Sequence, residues 1–108
     1  MAFGVTEDEV RKLVNEEIIN ANKNNPPFSS DHEAIAVIRE ELEETQEAFN
    51  ELQSDQIIQW EYIKNNSDWI DKEFVYEQMF EDAIQLIREG IQVAAMARKA
   101  IASGRKNN

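Results

Sequence analysis

Apolar residues recur in this chain at spacings of three and four almost from end to end, and no stretch alternates strictly between apolar and polar residues. That periodicity suits helices and offers no segment to a strand. The chain has only three Gly and two Pro, so there are few places where a helix must stop. The clearest break is NKNNPPFSS at 22–30, with its paired prolines, and a second is NNSD at 65–68. The expected fold is therefore all-α, a small bundle of three to four helices over about 6–22, 31–64 and 69–103. Ser54-Asp55 either interrupts the second helix mildly or recaps it, and the continued spacing reads as helix to about 64 with room for a kink.

Capping signals sharpen these boundaries. Thr6-x-x-Glu9 and Ser30-x-x-Glu33 are capping boxes, in which each side chain can bond the other residue's free backbone N–H. Val10, Leu13, Val14, Ile18 and Ala21 line one face of the first helix. Phe28 stands where it can pack against the first turn of the second helix, as a hydrophobic staple does. Ile38, Leu42, Thr45, Phe49 and Leu52 form the stripe of the second helix, which Ile57, Trp60 and Ile63 extend. Ser67 or Asp68 can cap the third helix, where Phe80, Ile84, Ile87, Ile91, Ala94 and Ile101 share a side. Gly104 is placed to end that helix, and Arg98, Lys99, Arg105 and Lys106 suit its negative pole.

A chain of 108 residues, 42% hydrophobic and 31% charged, makes one folded domain over 1–108. Its net charge of −11 argues against nucleic acid and against an anionic membrane surface as partners. A nucleotide remains compatible, because a bound metal ion can reverse the local sign of charge. With no Cys, there is neither a disulfide framework nor a thiolate ligand. No signal-peptide core or membrane-length apolar run is present, so the cytoplasm is the expected location. Long amphipathic helices and an alanine-rich last segment in so small a chain lead us to expect a homo-oligomer.

The acids of the second helix differ in placement. At roughly 100° per residue, Glu40, Glu43 and Glu47 point away from the apolar stripe. Glu41 falls within roughly 60° of the stripe centre, beside Ala34 and Ala48, and Glu44 lies one step further round. A carboxylate so placed costs free energy unless compensated, and two carboxylates at i and i+3 can share one divalent cation. The plainer alternative is that both merely flank the stripe, as charge runs on helices usually do. In the last helix Glu89, Gln92 and Met96 share the face opposite the main stripe. A Met among polar residues hints that this face is covered too; a solvated strip is the alternative.

FSSDHEAIAVIREELEETQEAFNEL at 28–52 and EGIQVAAMARKAI at 89–101 together resemble the short MazG-like proteins, often found in phages and prophages, of the all-α nucleoside triphosphate pyrophosphohydrolase superfamily. The matching pieces are His32-Glu33-Ala34, the Glu-Glu-x-x-Glu run at Glu40, Glu41 and Glu44, and Gln92 to Ala97, somewhat less than half the chain.

The resemblance implies a helical bundle in which E-x-x-E on one helix and E-x-x-D on a later one bind Mg²⁺, with Mn²⁺ as a substitute, and through it a nucleoside triphosphate. By position the metal ligands become Glu41, Glu44, Glu89 and Gln92. Relatives of this kind convert (d)NTPs to monophosphate and pyrophosphate and work as dimers or tetramers. Arg39, Arg88 and Arg98 are candidates to meet the phosphates, and His32, otherwise a structural first-turn residue, is a further substrate-side candidate. The sequence identifies no catalytic base. Gln92 departs from the pattern, replacing an anionic oxygen with a neutral amide that binds a hard cation less strongly. The span between Glu44 and Glu89 is also longer than usual for the superfamily, and 46–69 carries no resemblance. The alternative function is a non-catalytic helical scaffold or interaction module that retains the family fold.

Overall fold

A computed structural model describes residues 4–65 and 72–107, and within these the chain is entirely helical. The helices are α1 (Glu7–Asn24), α2 (Asp31–Lys64) and α3 (Lys72–Asn107). The expected caps at Ser67 and Asp68, and the expected start of the last helix at Trp69, lie outside the described residues.

The start of each of the first two helices follows from its cap. Thr6 accepts from the Glu9 N–H at 3.1 Å and Glu9 reaches back to the Thr6 N–H, completing the box. At α2 only half of the expected box forms. Ser30 Oγ accepts from the Glu33 N–H, but the Glu33 carboxylate turns to the backbone and hydroxyl of Ser29, one residue earlier.

The second helix spans the expected 31–64, and one expectation about helix ends is corrected. Ser54-Asp55 neither breaks nor recaps α2, which runs through as one 34-residue helix of about 50 Å. Nor does Gly104 end α3: the helix continues to Asn107, and Gly4 alone among the described glycines has a positive φ. Gly104 in a helix interior forgoes propensity without gaining a turn.

α2 and α3 form an antiparallel hairpin, and α1 lies against α3. The hairpin seam repeats every seven residues. On α2 it runs Ala34, Glu41, Ala48, Asp55, Tyr62, with Ile38, Thr45, Leu52 and Gln59 between; all are buried or half-buried. On α3 it runs Val75, Asp82, Glu89, Met96, Ser103, interleaved with Met79, Leu86, Val93 and Ala100, again all at least half-buried. A straight helix drifts by roughly 20° per heptad, so helices that keep such a seam closed must wind gently about each other.

This seam corrects the stripes inferred from apolar periodicity. Leu42 and Phe49, expected on the buried face of α2, are 52% and 47% exposed, because the contact line is rotated toward Glu41. On α3 the face with Glu89, Gln92 and Met96 is the covered one, while Phe80, Ile84 and Ile87 face outward.

The best-sealed packing lies where α1 meets the hairpin. Phe28, Ala34, Ala95 and Met96 are buried there, with Val14, Ile18, Ala21, Val37, Ile38 and Ala100 around them. Phe28 is fixed at its backbone by a 2.8 Å bond from its N–H to Ser103 Oγ, and its ring lies 4.6 Å from the Lys99 ammonium. The molecule measures 62 × 33 × 24 Å, long because the hairpin projects past α1.

Candidate metal centre

Glu41 sits on the α2 seam, between Ala34 and Ala48, and Glu44 follows one turn later on the flank. Glu89 approaches from the α3 seam. Carboxylate oxygens of the three lie within 4.8 Å of one another. Oxygens on opposite sides of a bound Mg²⁺ are about 4.2 Å apart, and about 4.8 Å for Ca²⁺, so small side-chain adjustments convert this arrangement into a ligand set.

The electrostatics point the same way. Partial burial, then the charges of Glu44 and Glu89, push the Glu41 carboxyl above its ordinary range. Glu44 is raised chiefly by the hydrogen bond it shares with Glu89, and then by that residue's charge. Among the described residues no basic side chain pairs with the cluster: the ion pairs there are Arg11–Glu7 and Lys64–Glu61, both remote from it. The polar partner supplied is Gln85, whose amide donates to Glu89 Oε1 at 2.6 Å.

Of the residues inferred from sequence, Glu41, Glu44 and Glu89 therefore come together. Gln92 lies one turn beyond Glu89 and is tied elsewhere, its Nε2 donating to Glu17 Oε1 of α1 at 2.8 Å. An ionised carboxylate only accepts, so the amide must turn its nitrogen toward Glu17. His32, Arg39 and Arg88 are exposed. Arg88 is bonded weakly to Gln85 at 3.4 Å, and Arg98 borders a hollow with Ile18, Asn22, Asn25, Lys99 and Ser103.

Two features escaped the sequence reading. Glu17 brings a fourth acid from α1 to the neighbourhood of Gln92. Asp55 and Asp82 meet across the seam nearer the hairpin end, where burial, then a hydrogen bond to Asp82 and its charge, raise Asp55 to about 6. Asp55 Oδ2 is shut off from solvent with no hydrogen-bond partner, while Gln78 donates to Asp82 at 3.3 Å. The signal was present: Asp55 follows Glu41 by two heptads, and Asp82 precedes Glu89 by one.

No family model matches this chain, and no curated protein or solved structure is significantly similar to it. The fold class is that of an all-α helical protein, and no helix among the described residues is long and apolar enough to cross a membrane.

Proposed function

We propose that this chain is a divalent-cation-dependent nucleoside triphosphate pyrophosphohydrolase, converting (d)NTP to (d)NMP and pyrophosphate, and that it works as a homo-oligomer. The observation that carries the proposal is the convergence of Glu41, Glu44 and Glu89 from two helices within 4.8 Å, with no ion pair to any of them among the described residues. Glu41, raised by burial and then by the charges of Glu44 and Glu89, and Glu44, raised by its hydrogen bond to Glu89, gain most from a hard cation with oxygen preference. The resemblance of 28–52 and 89–101 to MazG-like proteins supplies the substrate class.

Mg²⁺ in such a site supplies charge neutralisation of phosphate oxygens and a more acidic bound water. The protein's part is to hold that ion. Glu41 and Glu89 are fixed by the seam, Gln85 orients Glu89, and Glu44, more exposed, can adjust. Arg39 and Arg88 are available at the surface to meet phosphate charge.

A second reading, a non-catalytic scaffold, is favoured by one specific observation: Gln92 replaces the expected acid and is engaged by Glu17. Pyrophosphate release assayed over a panel of (d)NTPs with Mg²⁺ or Mn²⁺ separates the two. Activity abolished by Glu41→Gln supports the enzyme. Complete inactivity of the parent chain at high concentration leaves the scaffold.

A further inference from the structure

Lys99 is 7% exposed, yet among the described residues it is in no ion pair. Its ammonium lies 4.6 Å from the Phe28 ring, and Glu33, whose carboxyl feels its charge, is turned to the backbone and hydroxyl of Ser29. Arg98, its neighbour in sequence, is likewise in no ion pair among the described residues. The chain has 22 acidic residues against 11 basic ones, so acids to neutralise these two cations were plentiful. A buried ammonium without an anion costs free energy, and one supplied from outside the chain would recover it.

Arg98 and Lys99 line a hollow of about 180 Å³ between the end of α1 and α3, together with Asn22 and Ser103. Ser103 is 3% exposed and its Oγ accepts from the Phe28 N–H, which leaves its own hydroxyl hydrogen to donate. Asn22 adds a neutral amide. The C-terminal end of α1 opposes an anion with about half a negative charge, against two full positive ones. The balance stays positive.

Size and charge select the ligand. Sites for drug-sized molecules occupy roughly 300–1,000 Å³, whereas a water takes about 30 Å³. The hollow therefore suits a small ion and not a whole nucleotide. A carboxylate offers two oxygens in one plane, while a phosphate directs its oxygens tetrahedrally and carries up to two negative charges. That matches a guanidinium fork, an ammonium and a hydroxyl set around one space. We infer that Arg98, Lys99 and Ser103 form a binding site for a single phosphate group, as the free ion or at the end of a small ester.

This site is separate from the acidic cluster. Lys99 lies ten residues beyond Glu89 on α3, about 15 Å along the helix axis, so a phosphate held there cannot ligate an ion at Glu41, Glu44 and Glu89. The test is accordingly run in EDTA without nucleotide, and its outcome is independent of the cation-site reading.

The ¹⁵N-labelled full chain is titrated with sodium phosphate at pH 8 and constant ionic strength. The amide signals of Phe28, Lys99 and Ser103 should shift saturably, with a dissociation constant of about 1 mM or tighter. Lys99→Met should raise that constant at least about tenfold and Arg98→Gln at least about fivefold, while Lys64→Gln, at the far end of α2, leaves it unchanged. Arg98 is exposed, so Arg98→Gln carries the test even where Lys99→Met fails to fold. Glycerol phosphate in place of phosphate separates the two sources: comparable binding assigns the site to an ester, and loss of binding assigns it to the free ion.

Absence of a saturable shift up to about 20 mM phosphate overturns the inference. So does acetate binding as tightly as phosphate. A dissociation constant that Arg98→Gln leaves unchanged, or that Lys64→Gln raises equally, means an adventitious ion only and overturns it too.

Discussion

Gln92 of α3 donates its amide N–H to the Glu17 carboxylate of α1 over 2.8 Å, a contact between residues 75 positions apart in sequence. The bond gives a physical reason for an amide where the MazG-like pattern has an acid. An Asp or Glu at 92 would meet Glu17 with like charge, and the α1–α3 contact would lose its donor.

Gln92→Glu is therefore expected to destabilise the chain by about 1 kcal/mol, the worth of a part-buried hydrogen bond, with some repulsion added. Exchanging the pair, Glu17→Gln with Gln92→Glu, restores one donor and one acceptor and should recover most of the loss. Thermal melting of the two singles and the double checks this, and simple additivity of the two penalties would reject the pairing.

The proposed cation site predicts opposite responses with and without metal. Glu41 binds its proton more tightly in the folded chain than in the unfolded one, so its stabilising contribution is present at low pH and is lost as pH rises through the raised value. At pH 7–8 without metal, Glu41→Gln should thus melt above the parent. With Mg²⁺ or Mn²⁺ at a hundred times its dissociation constant, the parent should gain about 2.7 kcal/mol and the variant little. A parent indifferent to both ions would count against the site.

Asp55 provides a separate pH signature. Its carboxyl moves from 3.8 to about 6 on folding, so the stability it lends is complete below 3.8 and is lost by the time pH passes about 6. Asp55→Asn should stabilise the chain by about 1–2 kcal/mol at pH 7–8, allowing for solvent screening at this half-buried site. The advantage should shrink towards zero near pH 4. Urea unfolding at three pH values measures it, and a gain that is the same at pH 4 and pH 8 would contradict the assignment.

Around Phe28 the expected costs are graded. Phe28→Ala should cost about 3 kcal/mol by opening a cavity in the best-sealed part of the molecule. Ser103→Ala, removing the 2.8 Å bond to the Phe28 N–H, should cost about 1 kcal/mol. Lys99 is only 7% exposed, and Lys99→Met keeps its stem packed while removing the ammonium from the ring, so it should cost less than about 1 kcal/mol. Chemical denaturation of the three variants tests this order.

The N-terminal caps of the first two helices were legible because capping chemistry is local: Thr6 and Glu9, or Ser30 and Glu33, act across a single turn. The contact line of the hairpin was harder to read. Apolar periodicity marks the residues that avoid water, and on this chain several of those, such as Leu42 and Phe80, lie off the contact line. The contact line itself carries Glu41, Asp55, Asp82 and Glu89, which a hydrophobic pattern passes over. Glu41 could be picked out because it tilts toward Ala34 and Ala48, and Glu44 because it lies one step further round on the same side, near Val37. Glu17 could not, because only the docking of α1 brings it to Gln92.

Ala48 is among the few buried residues of α2, and it lies one turn past Glu44 and two past Glu41. Helix axes approach as closely as the side chains between them permit. A methyl group at this position acts as a spacer, holding the two rods near enough for carboxylates rooted on opposite sides to touch. A bulkier residue at 48 would prise the hairpin open beside the cluster. The approach of Glu41 and Glu44 to Glu89 is therefore set by the smallness of a residue that has no chemistry of its own.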